Sequence, residues 1–257
     1  MFDIINKKFD IDLRRNNAFI DIAIMEATIN AEESEYKCMV ESANDSNLQI
    51  MLEEVNDTLV DKFKKSVNNI ITSIKAFFSK ILGKIASIFS KTNNDALFSS
   101  IDNKLKSDPS LKNEKITING KGESGIGELN KCGNKIKSFI SKIKGGKVTD
   151  SSEIDDINDE FNKKHANILA GTITLTVGAA YELLKKRVKT VAVDIDEHQK
   201  DILRVINELN KKIPTNPDSL KVHQQTINVL SKYVTNTTTY ETTLLAELKN
   251  GIMNKLK

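Results

Sequence analysis

Apolar residues recur at steps of three and four from Leu59 to Phe89: Leu59, Val60, Phe63, Val67, Ile70, Ile71, Ile74, Phe77, Phe78, Ile81, Leu82, Ile85, Ile88 and Phe89. Asn, Ser, Thr and Lys fill the opposite side, so the period is that of an amphipathic helix. A stripe this long must be covered by something, protein or lipid, and it therefore constrains the chain more than any other feature. The charge on it is one-signed. Lys62 to Lys91 holds seven lysines and no acid, whereas Asp21 to Asp61 holds eleven acids against the single Lys37.

The flanking sequence reads as more helix. Residues 1–15 form an arm with Phe2, Ile4, Ile5, Phe9, Ile11 and Leu13 among charges, and a first helix is expected from Asn17 to about Ser42. A break at Asn44–Asn47 then gives a helical hairpin whose second arm runs from Leu48 through the basic stripe. Such an arm exceeds an ordinary domain, so it is expected to bend, break or assemble, with Gly83 the interior residue to mark such a point. Residues 91–115 read as a linker or short helices around Leu97, Phe98, Ile101 and Leu105. Seven of the eleven glycines fall between Gly120 and Gly146, the one stretch that reads as non-helical, although Ile116-Thr117-Ile118 alternates like a strand and Ile126–Ile143 fits a short basic helix.

In the C-terminal half, a helix capped at Ser151 or Ser152 is expected to run through Phe161, Ile168, Ile173, Val177, Tyr181, Leu184 and Val188 to Leu209. The turn Ile213–Pro217 ends it. Pro217 opens a last helix with Leu220, Ile227, Leu230, Val234, Leu244, Leu248 and Ile252 along one side. The expected fold is mainly α: an N-terminal arm and amphipathic hairpin (1–91), a linker and glycine-rich basic segment with little β (92–150), and a long antiparallel C-terminal hairpin (151–257). Thr237, Thr238 and Glu241 interrupt the C-terminal seam, which makes an imperfect bundle rather than a strict zipper. Ala166–Tyr181 is uncharged, but it is too short and too rich in Thr to span a bilayer and reads as a buried helix lined with small residues. No charged n-region and apolar h-region open the chain, so export by a signal peptide is not expected.

Catalytic candidates are few. Gly120-Lys121-Gly122-Glu123-Ser124-Gly125 matches G-x-G-x-x-G between a strand-like and a helix-like segment, with Asp150 further on where a ribose-binding acid would stand. A dinucleotide fold needs several more buried strands, and the rest of the chain offers helical periods, so the motif reads as a flexible glycine loop. His165, His198 and His223 lie on different segments, Cys38 and Cys132 are far apart without zinc spacing, and Glu32, Glu33 and Glu35 read as a solvated acidic face. Glu26, on an apolar helix face, reads as a helix-boundary residue. No metal site, no cofactor and no enzymatic activity are expected.

Three readings remain for the stripe. It is a core helix of a bundle, its Ile/Phe face buried against helix 17–42 and its lysines paired with the neighbouring acids; an interfacial helix lying on an anionic membrane; or a non-specific phosphate binder. The face at stake is Phe63, Ile70, Ile74, Phe77, Phe78, Ile81, Leu82, Ile85 and Phe89. The basic patch is Lys75, Lys80, Lys84, Lys91, Lys135, Lys137, Lys142 and Lys144. With no Arg in either basic stretch, base-specific recognition of nucleic acid is not expected.

The helix Ala18-Phe19-Ile20-Asp21-Ile22-Ala23-Ile24-Met25-Glu26-Ala27, then acids, then Lys75-Ala76-Phe77-Phe78-Ser79-Lys80-Ile81-Leu82, resembles structural proteins of large tailed bacteriophages of AT-rich Gram-positive hosts. Ile24-Met25-Glu26-Ala27 is also similar to the cut site of some phage head-maturation proteases. The resemblance covers about the first 90 residues. It implies a virion component assembled in the bacterial cytoplasm, packaged in the head or ejected with DNA, whose partners are other virion proteins or copies of itself, with an anionic membrane as the alternative.

Overall fold

The computed structural model describes residues 56–88, 91–148, 150–214 and 217–257. The expected arm, the first helix and its break at residues 44–47, and the protease-like site at 24–27 lie outside the described residues, as does Phe89. In chain order the described elements are α1 (Asn56–Ile88), α2 (Lys91–Ser107), a 3-10 turn (Pro109–Asn113), β1 (Lys115–Asn119), α3 (Gly122–Lys144), α4 (Ser152–Leu169), β2 (Thr172–Thr176), α5 (Val177–Lys211) and α6 (Pro217–Lys255). The fold is mainly α, as the periodicity predicts.

The molecule is organised around α6. This 39-residue helix, about 58 Å long at 1.5 Å per residue, packs against α1, α3, α4, α5 and β1. Helices α5 and α6 form the antiparallel C-terminal hairpin, turning at Ile213-Pro214. Pro217 opens α6, where its fixed φ and missing N–H cost nothing. Helix α1 lies along this hairpin. Its Phe63, Val67, Ile70, Ile74, Phe77, Phe78, Ile81 and Ile85 are all buried, with Leu82 partly so, and Phe77 and Phe78 meet edge to face at 5.4 Å. Eight apolar side chains leaving water together are what seats the helix. The core is continuous from Phe63 to Leu256.

Three expectations need correction. Helix α1 runs unbroken through Gly83 to Ile88: one glycine costs about 1 kcal/mol of helix propensity, too little to break a helix held by a buried stripe. The helix expected from residue 151 to 209 is two helices separated by a strand. After Gly171 the sequence Thr-Ile-Thr-Leu-Thr alternates with period two and is β-branched at four of five positions, which favours extended backbone. It forms β2, so the stretch Ala166–Tyr181 is not one buried helix. Among the described residues no helix is long and apolar enough to cross a membrane. Finally, the glycine-rich region is mostly helix, since α3 contains Gly125, Gly127 and Gly133.

Strands β1 and β2 pair antiparallel, Lys115 opposite Thr176 and Asn119 opposite Thr172. Ile116 and Ile118 of β1 are buried on the side facing α6. The small sheet thereby ties the segment before α3 to the segment before α5.

Candidate functional site

The most unusual feature of the interior lies on the central helix. Ten successive residues of α6, Tyr233–Thr242, are buried, so this helix is covered on every side, yet the stretch is mostly polar: Thr235, Asn236, Thr237, Thr238, Thr239, Glu241 and Thr242. Part of the polarity is absorbed locally. The hydroxyls of Thr226, Ser231, Thr235 and Thr242 donate back to the carbonyls four residues earlier, at 2.7 to 3.1 Å, a bond that satisfies the group without a tertiary partner. Asn236 Oδ1, Thr238 Oγ1, Thr239 Oγ1 and Glu241 Oε2 are buried and make no hydrogen bond. Native interiors leave few such groups, and they concentrate here within six residues.

A charge cluster sits in the same seam. Glu241 is 3% exposed and its Oε1 lies 3.4 Å from Arg187 of α5, itself only 12% exposed. The same guanidinium lies 3.7 Å from Asp194. Burial pushes the Glu241 carboxyl up to about 7 against the pull of Arg187, so desolvation outweighs the ion pair. A buried pair of this kind disfavours every sliding register of α5 on α6 that would separate the two charges, because an unpaired buried charge costs several kcal/mol.

The glycine motif serves another face of α6, that of Tyr233 and Tyr240. Gly120 and Gly122 have φ of +83° and +59°, and the chain turns there from β1 into α3 in a conformation that favours glycine. The turn is filled by protein: a Cβ on Gly122 would lie 2.6 Å from Ile173, and one on Gly120 would lie 2.8 Å from the Tyr240 ring. Within α3, a Cβ on Gly125 would meet Tyr240 Oη at 2.5 Å and one on Gly133 would meet Tyr233 Oη at 2.3 Å. These glycines let two tyrosines of α6 lie against the α3 backbone, and the expected flexible loop is a packed turn. Among the described residues the sheet is two-stranded and antiparallel, not a Rossmann sheet, and Asp150 accepts from the Ser152 amide and hydroxyl.

Four lysines of the second basic stretch are paired on their own chain. Lys135 pairs with Glu160 of α4, Lys142 with Glu153 at 2.5 Å, Lys137 with Asp201 of α5 at 3.3 Å and Lys144 with Glu208. Glu160 also accepts from Lys164 at 2.6 Å, and the two lysines hold its carboxyl down at about 2. Four of the eight patch lysines thus strap α3 to α4 and α5. Of the rest, Lys75 and Lys80 are exposed on α1, Lys84 sits on the same helix, and Lys91 opens α2. The basic patch is therefore divided between α3, where its lysines are paired, and α1 and α2.

The histidines stay apart. His165 stacks on Phe161; His223 Nδ1 is 2.9 Å from the Ser219 carbonyl; His198 is among charged residues of α5. Burial lowers the His198 and His223 pKa values. Cys132 is buried, and burial raises its thiol pKa, the reverse of what a nucleophile needs. Among the described residues no group of three or more His, Cys, Asp or Glu is placed to hold a metal ion. Of the predicted face, Phe63, Ile70, Ile74, Phe77, Phe78, Ile81 and Ile85 are buried and Leu82 partly so, on a helix that packs against α5 and α6. The Arg187–Glu241–Asp194 cluster escaped the sequence reading, although Glu241 stood out as an interruption of an apolar seam. No protein-family model, characterised protein or solved structure matches the chain.

Proposed function

We propose that the chain is a bacteriophage virion structural protein that acts through helix-mediated protein–protein contacts, with other virion proteins or copies of itself as partners. The observation that carries this reading is how the chain uses its most conspicuous features internally. The α1 stripe, the α3 lysines and the glycine motif all serve to build one long helical body around α6. An elongated scaffold with a register-setting charge pair suits a part that must be placed in repeated copies. The resemblance of the first 90 residues to phage structural proteins supplies the virion context.

The membrane reading uses the same α1 face on lipid, which requires α1 to leave the α5–α6 hairpin and re-expose eight buried apolar side chains. Its cost makes the structural reading the better one. Quantitative mass spectrometry of particles of the encoding phage, freed of lysate by gradient purification, tests the proposal. Multiple copies per particle are expected; a chain confined to the lysate overturns it. Flotation with neutral and anionic liposomes separates the membrane alternative, which requires wild-type binding that Phe78→Asp/Leu82→Asp abolishes.

A further inference from the structure

The two edges of the small sheet are not alike. The Val177 amide donates to the Glu114 carbonyl at 2.8 Å and the Gly120 amide to the Gly171 carbonyl at 2.7 Å. With the observed register, these bonds set the alternation: Ile116 with Leu175 and Ile118 with Ile173 are the hydrogen-bonded pairs, while Lys115, Thr117 and Asn119 point their backbone groups away from β2, and Thr172, Thr174 and Thr176 point theirs away from β1. The β1 edge is partly closed: Glu247 of α6 accepts from the Asn119 amide at 3.4 Å and side chain at 3.1 Å. The β2 edge has no neighbouring strand among the described residues, and Thr172 and Thr174 are exposed.

Natural proteins protect such edges with lysine, proline, a bulge or a covering element. Thr172-Ile173-Thr174-Leu175-Thr176 has neither charge nor proline. It is also nearly palindromic about Thr174, with threonine at both ends and Ile173 matched by Leu175. Turned by a two-fold axis through Thr174, the strand meets itself antiparallel with Thr opposite Thr and Ile opposite Leu, with no like charges opposed.

We propose that the outer edge of β2 is a self-association surface on which a second copy of this chain docks its own β2, making a four-stranded antiparallel sheet. The Thr174 amide of each copy donates to the Thr174 carbonyl of the other, and each Thr176 amide donates to the other's Thr172 carbonyl. The Thr176 carbonyl stays with α5, where Thr176 is the N-cap and its hydroxyl accepts from Ala179. About four backbone bonds and a short contact make a weak dimer, with Kd on the order of micromolar or above, which repetition in an assembly strengthens by effective concentration. The contact is isologous, as closed two-fold dimers require. It uses none of the helix faces on which the virion reading rests, so either proposal can fail alone.

Hydrogen exchange and sedimentation equilibrium of the full chain over a concentration series test it. The Thr174 and Thr176 amides should exchange fast when dilute and gain protection with concentration, in step with dimer formation, while the Ile173 and Leu175 amides, bonded to β1, remain protected throughout. Thr174→Pro removes an outward backbone donor together with the hydroxyl 3.3 Å from Thr117 Oγ1, and Thr174→Lys opposes two ammonium groups across the axis; each should weaken the dimer at least about tenfold with helical content unchanged. If the proline variant melts, the lysine variant at this exposed position gives the reading. A wild type that stays monomeric to about 1 mM, or a dimer equally strong in Thr174→Lys, overturns the proposal.

Discussion

Tyr240 reaches across to the start of α3, where its Oη donates to the Gly122 carbonyl at 3.0 Å and stands 2.5 Å from where a Cβ on Gly125 would lie. One side chain thus requires glycine at one position and satisfies the backbone at another. Gly125→Ala should cost about 1–3 kcal/mol by overpacking, and Tyr240→Phe about 1 kcal/mol through the lost hydrogen bond. Because the hydroxyl is the nearest clashing atom, the double variant should lose less than the sum of the two. Urea unfolding of the four proteins in a double-mutant cycle measures this coupling.

Phe78 is 1% exposed beneath α1, and Phe78→Ala should destabilise by about 3–5 kcal/mol. Leu82, only partly buried at the margin of the same face, should lose less on the same truncation. Equilibrium denaturation followed by circular dichroism ranks the two, and equal costs would mean that α1 is not seated as described.

Glu241 gives stability an unusual dependence on pH. Its carboxyl binds a proton more tightly in the folded chain, at about 7, than at the ordinary value of 4.5. Its contribution is therefore fully present below about pH 4.5 and is lost as pH rises through 7, on the order of a few kcal/mol. Glu241→Gln should flatten that alkaline decline. His198 and His223 act with the opposite sign: burial lowers their pKa values, so their contribution is fully present above the ordinary value of 6.5 and is lost as pH falls from there through their lowered folded values. Thermal unfolding between pH 5 and 9 reads both limbs, and a Glu241→Gln profile parallel to wild type would refute the assignment.

Removing one member of the buried pair differs from removing both. Arg187→Met leaves Glu241 buried beside Asp194 and should cost about 3–5 kcal/mol, whereas Arg187→Met/Glu241→Met should be close to neutral or stabilising. If the pair sets register, the double variant should show it as broadened methyl and amide resonances in α5 and α6 despite its stability. Sharp, wild-type-like spectra would assign register to the apolar packing alone.

The α3 straps are exposed pairs. Lys135→Gln, Lys137→Gln, Lys142→Gln and Lys144→Gln should each lower stability by less than about 1 kcal/mol. Because these lysines are already neutralised by Glu160, Asp201, Glu153 and Glu208, the combined variant should change retention on a polyanion column little. A large loss of retention would mean the straps open readily in solution.

Helix α1, the basic helix within α3 and the start of α6 at Pro217 were legible in the sequence because each rests on a signal confined to its own segment: an apolar stripe, a period, a proline. The strand at Thr172–Thr176 was not, since five alternating residues inside an uncharged stretch of small side chains fit a buried helix as readily until a partner strand is known. Gly125 and Gly133 misled for a related reason. Their role depends on Tyr240 and Tyr233, about a hundred residues away, and no local pattern announces a close approach. The polar run Thr235–Thr242 showed as a flaw in a seam; that it lies at the centre of the molecule follows only from the elements packed around it.

The position of α6 also bears on how the chain is made. Every other described element precedes it, and α1, α3, α4, α5 and β1 lean on it directly. As the ribosome proceeds, the apolar sides of α1, α3 and α5 emerge before the helix that unites them. Such a chain completes its core late, through contacts distant in sequence. Until α6 is synthesised, the nascent protein carries unsatisfied apolar surfaces that invite either a chaperone or a neighbouring copy.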